Sequence, residues 1–149
     1  MSTEQPAGRL LVVGTGLIGT SIGLAASAAG WQVSIDDPDA DRVGMATDIG
    51  AGRPWQSGEQ GFDLAVVAAP PSVTGEVAAG LIGAGVASTV SHVCSVQTVP
   101  RLDVETLGVT TKHFLGSHPI AGRERSGPHH ASADLFRERP WIVCPASDT

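Results

Sequence analysis

Leu10-Leu11-Val12-Val13-Gly14-Thr15-Gly16-Leu17-Ile18-Gly19 is the stretch on which the reading of this chain turns. Four apolar residues in a row read as a short strand buried on both faces. The glycines that follow are spaced G-x-G-x-x-G, and Leu17 to Ala29 is rich in Ala, Leu and Ile, as a helix would be. A strand, a glycine turn and a helix in that order form the context in which this motif binds a dinucleotide. Gly14 permits the tight turn, Gly16 lets the backbone approach a diphosphate, and Gly19 lets helix and strand pack closely. The helix N-terminus supplies free N–H groups and partial positive charge. Thr15, Leu17 and Ile18 complete the turn and the first helical residues.

Working outward, Gly30 stops the first helix, and Gln32 to Ile35 reads as a second strand. Asp36 closes that strand 22 residues after Gly14. That is where an acid accepting hydrogen bonds from ribose hydroxyls is expected, although a turn residue beside Pro38 is the plainer alternative. Asp37 is acidic as well, so two negative charges would oppose a 2′-phosphate. The pair favours NAD over NADP, with Arg42 the one nearby cation. Asp39 is placed to cap a second helix running to about Ile49. Asp63 to Ala69 is a further buried strand, and Pro70-Pro71-Ser72 opens a helix to about Ile82 with Ser72 a candidate cap. Ala69 and Pro70 fall in the crevice at the strand ends, or simply stop the strand. Ala87 to Val93, Lys112 to Leu115 and Trp141 to Val143 read as strands, with partly helical sequence from Val96 to Leu107. Gly50, Gly52 and Pro54 punctuate a link.

Strands apolar on both faces that alternate with helices predict an α/β fold: a doubly wound, mostly parallel sheet of Rossmann type. A chain of 149 residues suits one domain. Residues 1–8 are polar and lack a signal-peptide core, so they read as a flexible leader. Residues 9–149 read as the dinucleotide-binding domain, cut short where a covering helix would normally follow. Net charge of −6 argues against nucleic acid as a partner, which calls for a basic face. No apolar run approaches the length of about 20 residues that spans a bilayer. Cys94 and Cys144 lack metal-site spacing and are too few for a disulfide framework. These features predict a cytoplasmic protein with no metal.

Gly116-Ser117-His118-Pro119-Ile120-Ala121-Gly122-Arg123-Glu124-Arg125-Ser126-Gly127 has no apolar periodicity. Such a segment positions chemistry rather than packing. His118 stands between Gly116 and Pro119 in what reads as a loop at the ligand end of the sheet, and imidazole suits proton transfer near neutral pH. Ser95 follows the fifth strand, where its hydroxyl could orient a histidine or substrate hydroxyl, or cap the following helix. Cys94 reads as a small buried apolar residue. Arg123 and Arg125 could meet a carboxylate or form a solvated loop. His113 reads as a packed or edge residue, and His129 and His130 as solvated.

Together these segments resemble the prephenate dehydrogenase family, which includes arogenate and cyclohexadienyl dehydrogenases. Val93-Cys94-Ser95-Val96 is similar to its D-V-G-S-V-K region, and Gly116 to Gly127 to its G-x-H-P-M/I-A-G-x-E-x-S-G signature. Ala133-Asp134-Leu135-Phe136 and Pro140-Trp141-Ile142-Val143 are similar to its A-D-L-F and W-V-L tail. The resemblance implies NAD-dependent oxidative decarboxylation of prephenate or arogenate in tyrosine biosynthesis. It implies His118 as the base for the ring hydroxyl, Ser95 holding histidine and hydroxyl in register, and Glu124 in a supporting role at the substrate entrance. It also implies a helical domain beyond this chain and a homodimer in full-length members. His92, Cys94 and Gln97 depart from the family's Asp, Gly and Lys. Two other readings remain: a stand-alone NAD-binding module without turnover, and a fragment of a dehydrogenase for 3-hydroxy acids.

Overall fold

The computed structural model describes residues 4–120 and 127–144. Its strands are β1 (Arg9–Val13), β2 (Gln32–Asp36), β3 (Arg53–Pro54), β4 (Phe62–Val67), β5 (Ala87–His92), β6 (Phe114–Pro119) and β7 (Trp141–Cys144). Helices α1 (Leu17–Ala28), α2 (Ala40–Asp48), α3 (Pro71–Gly83) and α4 (Thr98–Thr106) connect them, and a short 3-10 turn lies at Pro128–His130. The described strands form one sheet in the order β3-β2-β1-β4-β5-β6-β7. All pairings are parallel except β6 with β7. The chain leaves β1 toward β2 on one side and returns to β4 on the other, so the strand order reverses between β1 and β4. The expected doubly wound, mostly parallel architecture is therefore observed.

Both faces of the sheet are covered. Leu10, Val12, Val33 and Ile35 face α1 and α2, packing with Ile22 and Ala46. Leu11, Val13, Val67, Val90 and Phe114 face α3 and α4, packing with Ala78, Leu81 and Val104. Side chains alternate between the faces along each strand, so the apolar run Leu10 to Val13 in the middle of the sheet is buried on both faces, whereas the equally apolar edge strand β7 is largely exposed. Leu11, Val12, Ile35 and Val67 have no exposed surface, and each contributes about 1.5–3 kcal/mol relative to exposure. Asp39 caps α2 as expected, accepting from the Asp41 and Arg42 N–H groups. Ser72 does not cap α3: the helix starts at Pro71, where a missing N–H costs nothing. Ser95 does not cap α4 either, because Gln97 holds the N-cap position.

Two features depart from the sequence expectation, and a third, the direction of the last strand, was left open by it. Arg53–Pro54 is a parallel edge strand paired with Ser34 and Ile35, not part of a link. Pro54 is tolerated there because its missing N–H points away from a partner. Strand β6 runs from Phe114 to Pro119, so His118 lies in a strand and not in a loop. Its pairing with β7, His118 opposite Ile142, supplies the order that Gly116 and Pro119 withhold locally. The last strand is antiparallel and sits at the sheet edge. Before it, residues 127–140 fold back toward α1: the Ser132 N–H donates to Ser21 Oγ at 3.1 Å, and Leu135 is buried.

His92 ends β5 and is 1% exposed, with its ring centroid 5.6 Å from that of Phe114. Its Nδ1 accepts the Cys94 N–H at 3.1 Å, which leaves Nε2 to carry the proton of a neutral ring. Burial pushes its pKa below the ordinary histidine value. The unfolded chain therefore takes up a proton at this residue first as pH falls. The stabilisation is complete above about pH 6.5 and is lost as pH falls toward the lowered folded value. Urea midpoints measured from neutral to mildly acid pH should fall, and His92→Gln should flatten that fall. An equal slope in the variant would remove His92 as its source.

Candidate active site

The glycine turn is built by close backbone contact. Gly14 has φ of +106°, its N–H donates to the Asp36 carbonyl at 2.8 Å, and the Ala68 N–H donates to the Val13 carbonyl at 2.7 Å. A Cβ on Gly14 would meet the Ala68 carbonyl, and one on Gly19 would meet the Gly14 carbonyl oxygen. Gly16 is different: a Cβ there would have no heavy atom within 4 Å. Two glycines are thus required by neighbouring backbone, while the third faces open space. Helix α1 begins at Leu17 with no side-chain cap and no acid in its first turn. Its leading N–H groups remain available to an anion.

Gly14, Gly16, Asp36, Ala69 and Pro70 border one cleft of about 870 Å³. The structure therefore brings these expected site residues together at the reversal of strand order, where ligands bind in open α/β sheets. Thr15 and Gly19 are buried behind the turn and contribute backbone only. Asp37 contributes more than charge. Its Oδ2 accepts the Thr15 N–H and its Oδ1 the Asp39 N–H, both at 2.8 Å. One carboxylate so ties the glycine turn to the start of α2. Arg42 also borders the cleft, with its Nε 3.8 Å from the Asp39 carboxylate.

Trp55, Val73 and Val77 supply apolar walls to the same cleft. The Trp55 indole donates to the Glu59 carbonyl at 3.1 Å and its backbone N–H to the Ile35 carbonyl at 2.8 Å. Trp55 was not foreseen from sequence. The available signal was a large aromatic residue placed in an apparent link with no periodic apolar partner. An uncapped helix end, an open glycine face, two carboxylates and apolar walls fit a dinucleotide: diphosphate at the turn, ribose at Asp36 and a planar base between the walls.

The proposed reacting residues lie outside that lining, toward the ends of β5 and β6. Ser95 is exposed, three residues past the end of β5. His118 is partly buried, and its Nδ1 is shielded from solvent with no hydrogen-bond partner among the described residues. Cys94 is buried, with Sγ 3.3 Å from Thr74 Oγ1, as a small core residue would be. Glu124, with Arg123 and Arg125, lies outside the described residues. His113 and His129 are exposed, and the described residues contain no group of three potential metal ligands. No described helix is long and apolar enough to cross a membrane.

Comparison with known proteins places this arrangement in a lineage. The family model described as prephenate dehydrogenase, nucleotide-binding domain, matches residues 22–149. A probable prephenate dehydrogenase, NovF, of Streptomyces niveus is 38% identical over 139 residues, covering 93% of this chain and 38% of that protein. The prephenate dehydrogenase of Lactococcus lactis is 28% identical over 152 residues, covering 93% of this chain and 41% of that protein. Among solved structures, prephenate dehydrogenase of Aquifex aeolicus in complex with hydroxyphenyl propionate and NAD+ superposes with a TM-score of 0.82 at 25% identity. That match covers 99% of this chain and 54% of the other. The chain therefore spans about two fifths to half the length of the relatives it matches. With a family match over most of its length, the chain belongs to the prephenate dehydrogenase family, as its nucleotide-binding domain.

Proposed function

We propose that residues 9–149 are the NAD-binding domain of a dehydrogenase that oxidatively decarboxylates prephenate or arogenate. The observation that carries this reading is the open face of Gly16 in the same cleft as Asp36. That pairing fits a diphosphate at the glycine turn and the adjoining ribose at Asp36. NAD supplies the hydride acceptor when bound. The Asp36 carboxylate accepts from the ribose hydroxyls, and the α1 N-terminus holds the diphosphate. His118 takes the proton from the substrate ring hydroxyl as the ring loses hydride and carbon dioxide. Deprotonation raises electron density at the carbinol carbon, and aromatisation makes the loss irreversible. Ser95 holds hydroxyl and imidazole in register, and Glu124 supports the substrate entrance. The similar prephenate dehydrogenase of Aquifex aeolicus, solved with hydroxyphenyl propionate and NAD+, supports this reading.

A homodimer and a cytoplasmic location belong to the same reading. Exposed Ile142 and Val143 on the edge strand β7 suit burial against further protein, and Cys94 and Cys144 are both free thiols. The coverage of about half of each relative also favours a second outcome, an NAD-binding module without turnover in isolation.

Calorimetry with NAD, run beside an assay of NADH formation on prephenate, separates these outcomes. Binding with turnover supports the dehydrogenase, binding alone supports the module, and no binding rejects both. Asp36→Ser should weaken NAD about 10- to 100-fold, the equivalent of a lost hydrogen bond to a charged group. Wild-type protein should prefer NAD to NADP, and Asp37→Asn should narrow that preference by removing one of two charges. In the intact enzyme His118→Asn should lower turnover about 10²- to 10⁴-fold, as loss of a general base does. An unchanged rate would remove His118 from the mechanism.

A further inference from the structure

Gln97 stands between β5 and α4, in the segment that carries Ser95. Its side-chain Nε2 donates to the Cys94 carbonyl at 2.6 Å and to the Ser117 carbonyl at 3.2 Å. An amide nitrogen has two hydrogens, so it can serve both acceptors at once. Cys94 is the residue before Ser95, and Ser117 is the residue before His118. Each peptide unit is planar, so fixing the carbonyl of residue 94 orients the N–H and Cα of residue 95. The same holds for residues 117 and 118. One side chain thus grips the peptide planes leading into both reacting residues, which are otherwise 23 positions apart in the chain.

The surroundings show that this grip is built in. Gly116 has no side chain, and a Cβ there would collide with Gln97 Oε1 and come within 3.2 Å of His92 Nε2. The amide is therefore seated directly on β6. Ser117 Oγ donates to the His92 carbonyl at 2.8 Å, and the Cys94 N–H donates to His92 Nδ1 at 3.1 Å. These bonds join β5, the turn after it and β6 into one unit. The adjoining cavity, lined by His92, Gln97, Arg101, Gly116 and Cys144 among others, measures about 70 Å³. Through its two amide hydrogens Gln97 acts on the backbone that leads into both residues.

We infer that Gln97 is a positioning residue that sets the spacing of Ser95 and His118 by holding the peptide planes before them. The inference rests on the proposed roles of Ser95 and His118. Three variants test it. Gln97→Leu keeps size but removes both donors, Gln97→Glu turns an acceptor toward two carbonyls, and Gln97→Lys restores a donor. In this chain, Leu and Glu should shift the Ser95 and His118 amide resonances. In the intact enzyme they should lower kcat about 10- to 100-fold, the effect of a small misplacement of reacting groups, with NAD affinity unchanged. Lys should recover resonances and rate. Unmoved resonances in both Leu and Glu variants would overturn the inference, as would a loss of NAD affinity equal to the loss of kcat. Should the Leu variant fail to fold, the contrast between Glu and Lys still decides. If His118→Asn leaves kcat intact while Gln97 variants still move the His118 resonances, the positioning stands and the proposed catalytic role falls.

Discussion

A carbonyl oxygen, that of Ala68, lies where a side chain on residue 14 would begin. It lies there because β1 and β4 run side by side to the same height, joined at their tips by the Ala68 N–H and the Val13 carbonyl. On the other side the Gly14 N–H is claimed by the Asp36 carbonyl, so the chain is held between two strands as it turns. Only a residue with no Cβ, free to take positive φ, can make that turn. Its consequences extend outward. Helix α1 starts where the turn releases it, Gly19 passes against the Gly14 carbonyl, and the uncapped helix end opens on the cleft beside Asp36.

The two halves of the candidate site are held by different means. The nucleotide half is made by backbone: strand tips, a helix end and glycines too close to neighbours to carry side chains. Asp37 adds the side chain that matters most there, spanning from the glycine turn to α2. The reacting half is made by side chains bonding to backbone, with Gln97, His92 and Ser117 linking β5 to β6. The resemblance to the family leads one to expect Asp, Gly and Lys where this chain has His92, Cys94 and Gln97. Here a neutral imidazole and an amide link the turn after β5 to its neighbours: His92 accepts the Cys94 N–H, and Gln97 donates to the Cys94 and Ser117 carbonyls. Burial holds His92 in the neutral form that the Cys94 N–H requires.

Much of the site was readable because its causes are local. The glycine spacing reports a turn and a close approach within six residues, and Asp36 follows from where the next strand ends. Asp39 announces a cap by its chemistry. Other elements have causes far away in the chain. Strand β3 is two residues long, below any window in which periodicity can be counted, and exists only because β2 offers it an edge. Trp55 becomes a wall because α3 lies opposite. His118 looked like a loop residue because Gly116 and Pro119 disfavour regular structure, yet residues 141–144 pair with its strand and override them.

By itself, then, the amino-acid order determined the central buried run of β1, where the glycine turn lies and which residue types stand near the strand ends. Those properties follow from side-chain size, charge and backbone freedom within a few residues. The tertiary structure alone decided the antiparallel edge, the strand that carries His118, the breadth of the cleft beside Asp36 and the contact of Gln97 with two carbonyls 23 residues apart. Such contacts depend on which strands become neighbours, and that is set by packing the two sheet faces together rather than by any local preference.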